Sequence, residues 1–237
     1  MIKTQDEAEA ASQSVGPGSD NQTNVLIVDD HKILRQGLAR LINQEKDLHV
    51  CGETENAQQA LDAIETLKPD VILVDISLPG MNGIEFIKNV KARHPNLPMV
   101  VLSMHDESLY AERALRAGAL GYIMKKSSCE DVIDALRKAR HGEFHVSGRV
   151  GVTMFQKFLG HQQIKNSSPV SVLSDRELEV FELIGRGKGT REIAEALHLS
   201  IKTIDSHRAH IKEKLKLTTA TELIQHAVRF VERAAVV

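Results

Sequence analysis

The sequence predicts an α/β domain with a doubly wound, parallel, five-stranded sheet, followed by an all-α domain. From about residue 24 to residue 140, short apolar runs alternate with amphipathic segments, a pattern typical of buried strands joined by crossover helices. After Leu173 the strand pattern disappears and four helical segments follow. A chain of 237 residues, 42% of them hydrophobic, is long enough for two modest domains.

The boundaries follow from these patterns. We predict a disordered polar tail at residues 1–23, the α/β domain at 24–142, a linker with a short helix at 143–171, and the helical domain at 172–237. The predicted strands are residues 25–29, 49–52, 71–75, 99–103 and 121–124. The predicted helices between them are residues 31–43, 57–67, 83–93, 108–117 and 130–140. The buried face of the first helix is predicted to carry Ile33, Leu34, Leu38, Leu41 and Ile42.

Composition excludes several classes of protein. The net charge of −2 argues against a uniformly basic nucleic-acid binder, although a basic patch on one domain remains compatible with it. Cys51 and Cys129 lack the spacing of metal ligands, which favours a reduced pair of thiols. The N-terminus does not resemble a secretory signal, and no apolar run is long enough to span a bilayer. We therefore expect a cytoplasmic protein without a membrane partner.

Three carboxylates follow two of the predicted strands. Asp75 ends the apolar run that begins at Val71, while Asp29 and Asp30 end the run that begins at Val25. The carboxyl ends of parallel strands face the ligand crevice, so adjacent strands would bring the three acids together. Such a cluster is unfavourable without a cation, and Mg²⁺ suits carboxylates and water as ligands. Asp75 taken alone could equally be a turn former or a helix N-cap.

Two further side chains are suited to bind a phosphoryl group on Asp75. Ser103 ends the fourth strand and Lys125 follows the fifth, so both could reach a phosphoryl group on Asp75. The carboxylate would be the nucleophile, Ser103 a hydrogen-bond donor, and Lys125 with Mg²⁺ the compensating charge. Lys125 considered alone could also be an ordinary exposed lysine.

The ordered set Asp29-Asp30, Asp75, Leu78 to Gly83, Ser103 and Tyr122 with Lys125 resembles the receiver domain of bacterial response regulators. The resemblance implies a flavodoxin-like sheet, Asp75 as phosphoacceptor and a sensor histidine kinase as partner. It also implies Mg²⁺ bound directly by Asp30 and Asp75, by Asp29 through water and by the Ser77 carbonyl. Ser103 and Tyr122 match the switch pair. The phosphatases of the haloacid dehalogenase type fit poorly, because they need a second aspartate where Ser77 stands.

The second domain contains helix-turn-helix spacing, with helices at residues 190–197 and 201–215 joined around 198–200. The predicted apolar seam consists of Ile193, Ala194, Leu197, Leu199, Ile204, Ile211 and Leu215. The side chains left outward are Lys202, Thr203, Asp205, Ser206, Arg208, Ala209 and Lys212. An outward, basic second helix is the usual device for reading double-stranded DNA, although a solvated charged face has the same pattern.

This half resembles the LuxR-type helix-turn-helix, and the two halves together resemble the NarL/FixJ class of response regulators. The resemblance places Lys202, Thr203, Asp205, Ser206 and Ala209 near the DNA groove, and it places Arg208 and Lys212 nearer the phosphates. Asp205 and Ala209 depart from the basic residues that related proteins often carry there, so base contacts would be fewer, or Asp205 would accept from a cytosine amino group.

The last predicted helix, Ala220 to Arg233, resembles the dimerisation helix of the class. Its apolar face could instead pack on its own domain. A homodimer through the receiver, this helix or both is therefore expected. The glycine-rich stretch from Gly185 to Thr190 follows a helix rather than a strand, which predicts a helix C-cap and turn instead of a nucleotide-binding loop.

The resemblance implies a transcription factor whose phosphorylation controls dimerisation and DNA binding, with no enzymatic chemistry beyond its own phosphorylation and dephosphorylation. Two other functions stay open. The chain could bind DNA constitutively and use its receiver only for protein interaction, or it could serve as a phosphoryl sink that competes for a kinase.

Overall fold

The fold is a parallel five-stranded sheet covered on both faces by helices, followed by a bundle of short helices. The computed structural model describes residues 22–158 and 169–235. Most of the predicted N-terminal tail, and residues 159–168 of the predicted linker, lie outside the described residues. Thr23, which was predicted to belong to the tail, is the first residue of a strand.

The sheet confirms the predicted fold class. Its strands are β1 (Thr23–Val28), β2 (Leu48–Thr54), β3 (Val71–Val74), β4 (Met99–Ser103) and β5 (Gly121–Met124). They pair in the order β2-β1-β3-β4-β5, and every pairing is parallel. The crossover helices are α1 (Lys32–Asn43), α2 (Ala57–Leu67), α3 (Gly83–Arg93), α4 (Glu107–Ala117) and α5 (Cys129–Arg140).

Alternation along the strands builds a core on each face of the sheet. Val25 and Ile27 pack with α1 and α5, whereas Leu26 and Val28 pack with α2, α3 and α4. The placement of Ile33 on the buried face of α1 is wrong, because its side chain is 88% exposed. Leu34, Leu38 and Ile42 share one helical face, while Ile33 lies about 100° away from Leu34 around the axis, on the face turned toward solvent.

The segment after α5 stays on the receiver half of the molecule. His145 bridges to Gly121 of β5, and the following helix α6 (Gly148–Phe158) packs against α4. The Ser147 hydroxyl donates to Glu107 Oε1 at 2.8 Å. The predicted short helix is therefore present, and it lies against α4.

The second domain begins with a 3₁₀ turn at Pro169–Val172 and continues with α7 (Asp175–Gly185), α8 (Thr190–Ala196), α9 (Ile201–Lys214) and α10 (Ala220–Ala235). The predicted caps form: Ser174 and Glu177 make a reciprocal capping box on α7, and Ser200 Oγ accepts from the Thr203 amide on α9. These caps explain why the helices begin where the sequence predicted them.

Gly185 allows α7 and α10 to cross at close range. A Cβ atom at this position would lie 2.3 Å from the carbonyl oxygen of Ala227, which is backbone of α10 and has no flexible end that could yield. We expect Gly185→Ala to lower the free energy of unfolding by about 1–3 kcal/mol, the usual cost of overpacking a core. Thermal and denaturant unfolding measure this effect. Gly148→Ala, where nothing lies within 4 Å of the added atom, is the control, and equal stability of the two variants would contradict the prediction.

Candidate functional site

The acidic residues predicted from the strand ends come together at one edge of the sheet. Val28 and Val74 are register partners in the adjacent strands β1 and β3, so Asp29 and Asp75 emerge side by side. Asp29, Asp30, His31 and Asp75 offer ligand atoms that all lie within 4.8 Å of one another. Asp29 and Asp75 are only 2% and 3% exposed, whereas Asp30 is partly buried and His31 is exposed, so the two buried carboxylates form a pocket with His31 at its solvent side.

Lys125 completes the charge pattern of this pocket. Its Nζ atom lies 2.7 Å from Asp29 Oδ2 and 2.7 Å from Asp75 Oδ2, and its side chain is 5% exposed. The alternative of an ordinary exposed lysine is therefore wrong. The loop after β5 starts with Lys125 donating its backbone amide to the Ser103 carbonyl, which directs the side chain back over the strand ends.

The protonation equilibria reflect a crowded anionic site. Burial raises the pKa of Asp75, and the carboxylate of Asp29 adds to this while the charge of Lys125 opposes it. Burial by itself would lower the pKa of Lys125, but the charges and hydrogen bonds of Asp75 and Asp29 outweigh it and raise the pKa. One ammonium group therefore partly compensates three neighbouring carboxylates, and the site favours a further cation.

The donor set fits a divalent metal ion. Within the described part of the chain, Asp29 Oδ2 and Asp30 Oδ1 are buried without a hydrogen bond of normal geometry, although Lys125 and His31 nitrogens lie 2.7 Å from them. Carboxylate oxygens of this kind are suitable ligands for Mg²⁺. His31 was not predicted as part of the cluster; its position directly after the Asp-Asp pair is the only signal in the sequence.

Asp75 also has a local role in the loop. Its Oδ1 atom accepts from the backbone amide of Ser77 at 3.2 Å, which is the turn chemistry considered as an alternative. The N-cap of α3 is Asn82, not Asp75, so the helix-cap alternative is wrong. The turn bond engages one carboxylate oxygen and the Lys125 contact the other, Oδ2. The bond from the Ser77 amide to Oδ1 thus orients the Asp75 carboxylate and leaves Oδ2 directed toward Lys125.

The side chains of the predicted switch pair lie behind the pocket. Ser103 is fully buried at the end of β4, and its Oγ atom accepts from the His105 amide at 3.1 Å. Tyr122 is 3% exposed, and its hydroxyl donates to the His105 carbonyl at 2.8 Å. Burial raises the pKa of Tyr122 well above its usual range, so the hydroxyl remains a donor. Both residues therefore contact the backbone of His105, which the sequence analysis did not single out.

The imidazole of His105 connects the pocket to the second domain. Its Nε2 atom is 2.9 Å from Ser77 Oγ, and its Nδ1 atom is 2.8 Å from Glu182 Oε2 of α7. Tyr110 of α4 donates its hydroxyl to the same Glu182 oxygen at 3.0 Å. His105 and Glu182 are separated by 77 positions in the sequence, so no local pattern indicated this contact.

The second candidate site is the helix-turn-helix formed by α8 and α9. His198 adopts a left-handed backbone conformation with φ of 52°, which turns the chain between the two helices. Ile193, Ala194, Leu197, Ile204 and Ile211 are buried, and Leu199 and Leu215 are partly buried against the same core. The predicted apolar seam is therefore present.

The outward residues of α9 divide by exposure. Four of them are exposed and three are partly buried. The exposed set is Lys202, Asp205, Ser206 and Ala209, and the partly buried set is Thr203, Arg208 and Lys212. All of them except Ala209 are polar, and the cations Lys202, Arg208 and Lys212 outnumber the single anion Asp205, which suits a DNA groove.

The glycine-rich stretch after α7 and the apolar face of α10 are the last two features that the sequence analysis described. The stretch after α7 forms a C-cap and turn as predicted, with Gly187 at φ of 81°. On α10, Leu223 and Ala227 are fully buried within their own domain, whereas Ile224 is 44% exposed. Part of the apolar face of α10 thus serves its own domain, and Ile224 lies outside that contact.

Comparison with known proteins identifies both halves. Residues 25–137 match the family model of the response regulator receiver domain, and residues 171–227 match that of the bacterial regulatory proteins of the luxR family. The chain is 34% identical over 209 residues to the oxygen regulatory protein NreC of Staphylococcus aureus (strain MRSA252), with coverage of 86% of this chain and 96% of NreC. It is 28% identical over 224 residues to the transcriptional regulatory protein DegU of Brevibacillus brevis, covering 89% and 95% of the two chains.

Solved structures agree with these relatives. The RcsB response regulator of Salmonella typhimurium is 27% identical, with a TM-score of 0.62 over 88% of this chain and 98% of RcsB. RcsB bound to the promoter rprA in the presence of the phosphomimetic BeF₃⁻ gives a TM-score of 0.59 at 28% identity, covering 88% and 99% of the two chains. Among the helices that the structure describes, none combines the length and the apolar character needed to cross a membrane.

Proposed function

This chain is a two-component response regulator of the NarL/FixJ class, and we propose that its Asp75 accepts a phosphoryl group from a sensor histidine kinase and thereby controls DNA binding. A receiver joined to a LuxR-type DNA-binding domain is a regulator of transcription. The proposal adds the residues that perform each step.

The observation that carries the proposal is the position of Lys125 between two carboxylates of the pocket. In the transfer, an oxygen of Asp75 attacks the phosphorus of the kinase phosphohistidine. As the new P–O bond forms, the N–P bond breaks and the histidine nitrogen keeps the electron pair. Lys125, already 2.7 Å from Asp75, is close enough to neutralise charge on the transferred oxygens. A lysine outside the pocket would not supply this charge.

Mg²⁺ is the cofactor that we propose for this pocket. Asp30 and Asp75 would bind it directly, Asp29 through water, and the carbonyl of Ser77 would complete the protein ligands. The ion supplies additional charge compensation for the phosphoryl oxygens when it is bound. The clustering of the Asp29, Asp30 and Asp75 carboxylates, with ligand atoms within 4.8 Å of one another, supports this assignment.

The response to phosphorylation begins at the switch pair. We assign to the Ser103 hydroxyl a hydrogen bond to the phosphoryl group, and to Tyr122 a coupled shift, since both residues bond to the backbone of His105. A movement of Ser103 therefore acts on the loop between β4 and α4. This loop faces α7 of the DNA-binding domain, so the change at Asp75 can alter how the two domains associate.

The DNA-binding face is the polar side of α9. We propose that Lys202, Thr203, Asp205, Ser206 and Ala209 lie in the groove, where they would read bases. Arg208 and Lys212 would contact phosphates, which sets affinity and its salt dependence. The RcsB structures include dimers bound to DNA, which supports a homodimer on two half-sites. The receiver, the exposed part of α10 near Ile224, or both would form its interface.

The experiment that tests this function is selection of binding sites from random double-stranded DNA. It compares the native protein and Asp75→Asn, each with and without acetyl phosphate and Mg²⁺. We expect paired half-sites whose enrichment increases with the donor in the native protein alone, by about tenfold, since coupling between sites is usually 5- to 150-fold.

The other outcomes distinguish the two alternatives. Equal enrichment in all four samples would contradict phosphorylation control and favour a constitutive DNA-binding regulator. Absence of any enriched sequence, together with phosphorylation of Asp75, would favour a phosphoryl sink.

A further inference from the structure

We propose that His31 makes the acidic pocket a site for a divalent transition-metal cation, with its imidazole Nδ1 atom as a ligand beside the carboxylates of Asp29, Asp30 and Asp75. Such a cation, for example Co²⁺ or Zn²⁺, then binds more tightly than Mg²⁺ at the same place. The proposal rests on the proposed function and deepens it, because it names the class of cation that the phosphoacceptor pocket selects.

The first step is the position of the His31 side chain. His31 is the N-cap residue of α1 and has an extended backbone, with φ of −80° and ψ of 93°. Its backbone amide donates to Asp29 Oδ1 at 2.8 Å, and its ring makes no cap bond to the described residues of α1. The imidazole is therefore not needed to begin the helix, and it lies beside the carboxylates of Asp29 and Asp30 instead.

The second step is the spacing of the ligand atoms. The Nδ1 atom of His31 lies 2.7 Å from Asp30 Oδ1 and 3.3 Å from Asp29 Oδ1. The ligand atoms of these three residues and of Asp75 all lie within 4.8 Å of one another. Two ligands that are each about 2.1 Å from one ion, and that meet at a right angle, are about 3 Å apart. Both separations from His31 are close to this value, so one cation can contact the nitrogen and the neighbouring carboxylates.

The third step is that a hydrogen bond does not account for the approach of His31 to Asp30. Among the described residues, no donor reaches Asp30 Oδ1 with the geometry of a hydrogen bond, although this oxygen is buried and the imidazole nitrogen lies 2.7 Å away. A buried carboxylate oxygen of this kind needs a partner. A cation shared between Asp30 Oδ1 and His31 Nδ1 supplies that partner.

The fourth step is that Lys125 and His31 approach different oxygens of the pocket. The ammonium group of Lys125 contacts Oδ2 of Asp29 and Oδ2 of Asp75, whereas the His31 ring contacts Oδ1 of Asp29 and Oδ1 of Asp30. A cation on the His31 side therefore does not have to displace the lysine. The His31 side chain is 62% exposed, so its ring can receive an ion from solvent without a rearrangement of the core.

The fifth step is the chemistry of the donor set. Mg²⁺ prefers oxygen ligands and retains several of its waters, whereas imidazole suits ions such as Zn²⁺ and Ni²⁺. A nitrogen ligand among carboxylates therefore favours the transition metals over Mg²⁺. The alternative is that His31 only donates a hydrogen bond to a carboxylate that binds the ion. In that arrangement, loss of the ring weakens the binding of both classes of cation alike.

The test measures the affinities of the full-length protein for Co²⁺ and for Mg²⁺ by isothermal titration calorimetry. His31→Gln removes the imidazole from an exposed position that caps no helix, so the variant should fold. We expect its Co²⁺ affinity to fall at least about tenfold more than its Mg²⁺ affinity, since even outer-shell partners of a metal are worth about 10- to 100-fold. The Co²⁺ complex of the native protein should also show a hyperfine-shifted imidazole proton resonance in its NMR spectrum, and the variant should lack it.

His141→Gln is the matched control. His141 is an exposed histidine at the C-cap of α5, at the opposite end of that helix from the loop of Lys125, so both affinities should equal those of the native protein. Equal Co²⁺ affinity in the native protein and His31→Gln overturns the proposal, as does an equal loss of affinity for the two cations. In either case Mg²⁺ binding by the native protein leaves the proposed function intact. Failure of the native protein to bind either cation would refute the metal pocket itself, and this proposal with it.

Discussion

Asparagine at position 75 is expected to abolish phosphorylation of this protein by acetyl phosphate and Mg²⁺. The amide nitrogen is not a nucleophile at phosphorus, and the amide oxygen cannot form a stable acyl phosphate. Intact-mass measurement should show addition of one phosphoryl group to the native protein and none to Asp75→Asn. The expected loss is complete, not partial, because Asp75 supplies the bond-forming atom.

The variant should remain folded, which makes the result interpretable. Asparagine can still accept from the Ser77 amide, and Lys125 keeps its contact with Asp29. Asp62→Asn, which removes the same charge from an exposed position of α2, is the control and should be phosphorylated like the native protein. Phosphoryl addition to Asp75→Asn at the native rate would show that another side chain is the acceptor.

Lys125→Met is expected to have the second-largest effect. It removes the ammonium group that lies 2.7 Å from both Asp29 and Asp75, and leaves charge on the transferred oxygens less compensated. Loss of a comparable stabilising donor usually lowers a rate by about 10²- to 10³-fold, so we expect phosphorylation by acetyl phosphate to be slower by about 100-fold.

The measurement is the rate of phosphoryl addition at saturating Mg²⁺. Lys126→Met provides a close control, because Lys126 is the adjacent residue but is exposed. Its rate should match that of the native protein. If Lys125→Met reacted within threefold of the native rate, Lys125 would be a structural partner of the carboxylates and not a participant in transfer. A stability measurement on both variants separates this outcome from partial unfolding.

The sequence alone determined the sheet and most of the phosphoacceptor pocket. Parallel strands place their carboxyl ends at one edge, so the apolar runs predicted that edge for Asp29, Asp75, Ser103 and Lys125, and the resemblance to receiver domains supplied the sheet that makes β1 and β3 neighbours. The helix-turn-helix was equally predictable, since caps such as Ser174 and Ser200 and an apolar seam are local features. Local patterns failed at Ile33, where an apolar side chain lies on the solvent face of α1.

Only the tertiary structure decided how the two halves contact each other. His105 and Glu182 have no motif around them, and each would be an unremarkable polar residue in its own domain. Their contact depends on where α7 lies on the receiver, where Tyr110 bonds to Glu182 and Asp175 pairs with Arg113 and Lys88. Spacing along a sequence encodes the faces of strands and helices, but it does not encode the relative placement of two separately folded units.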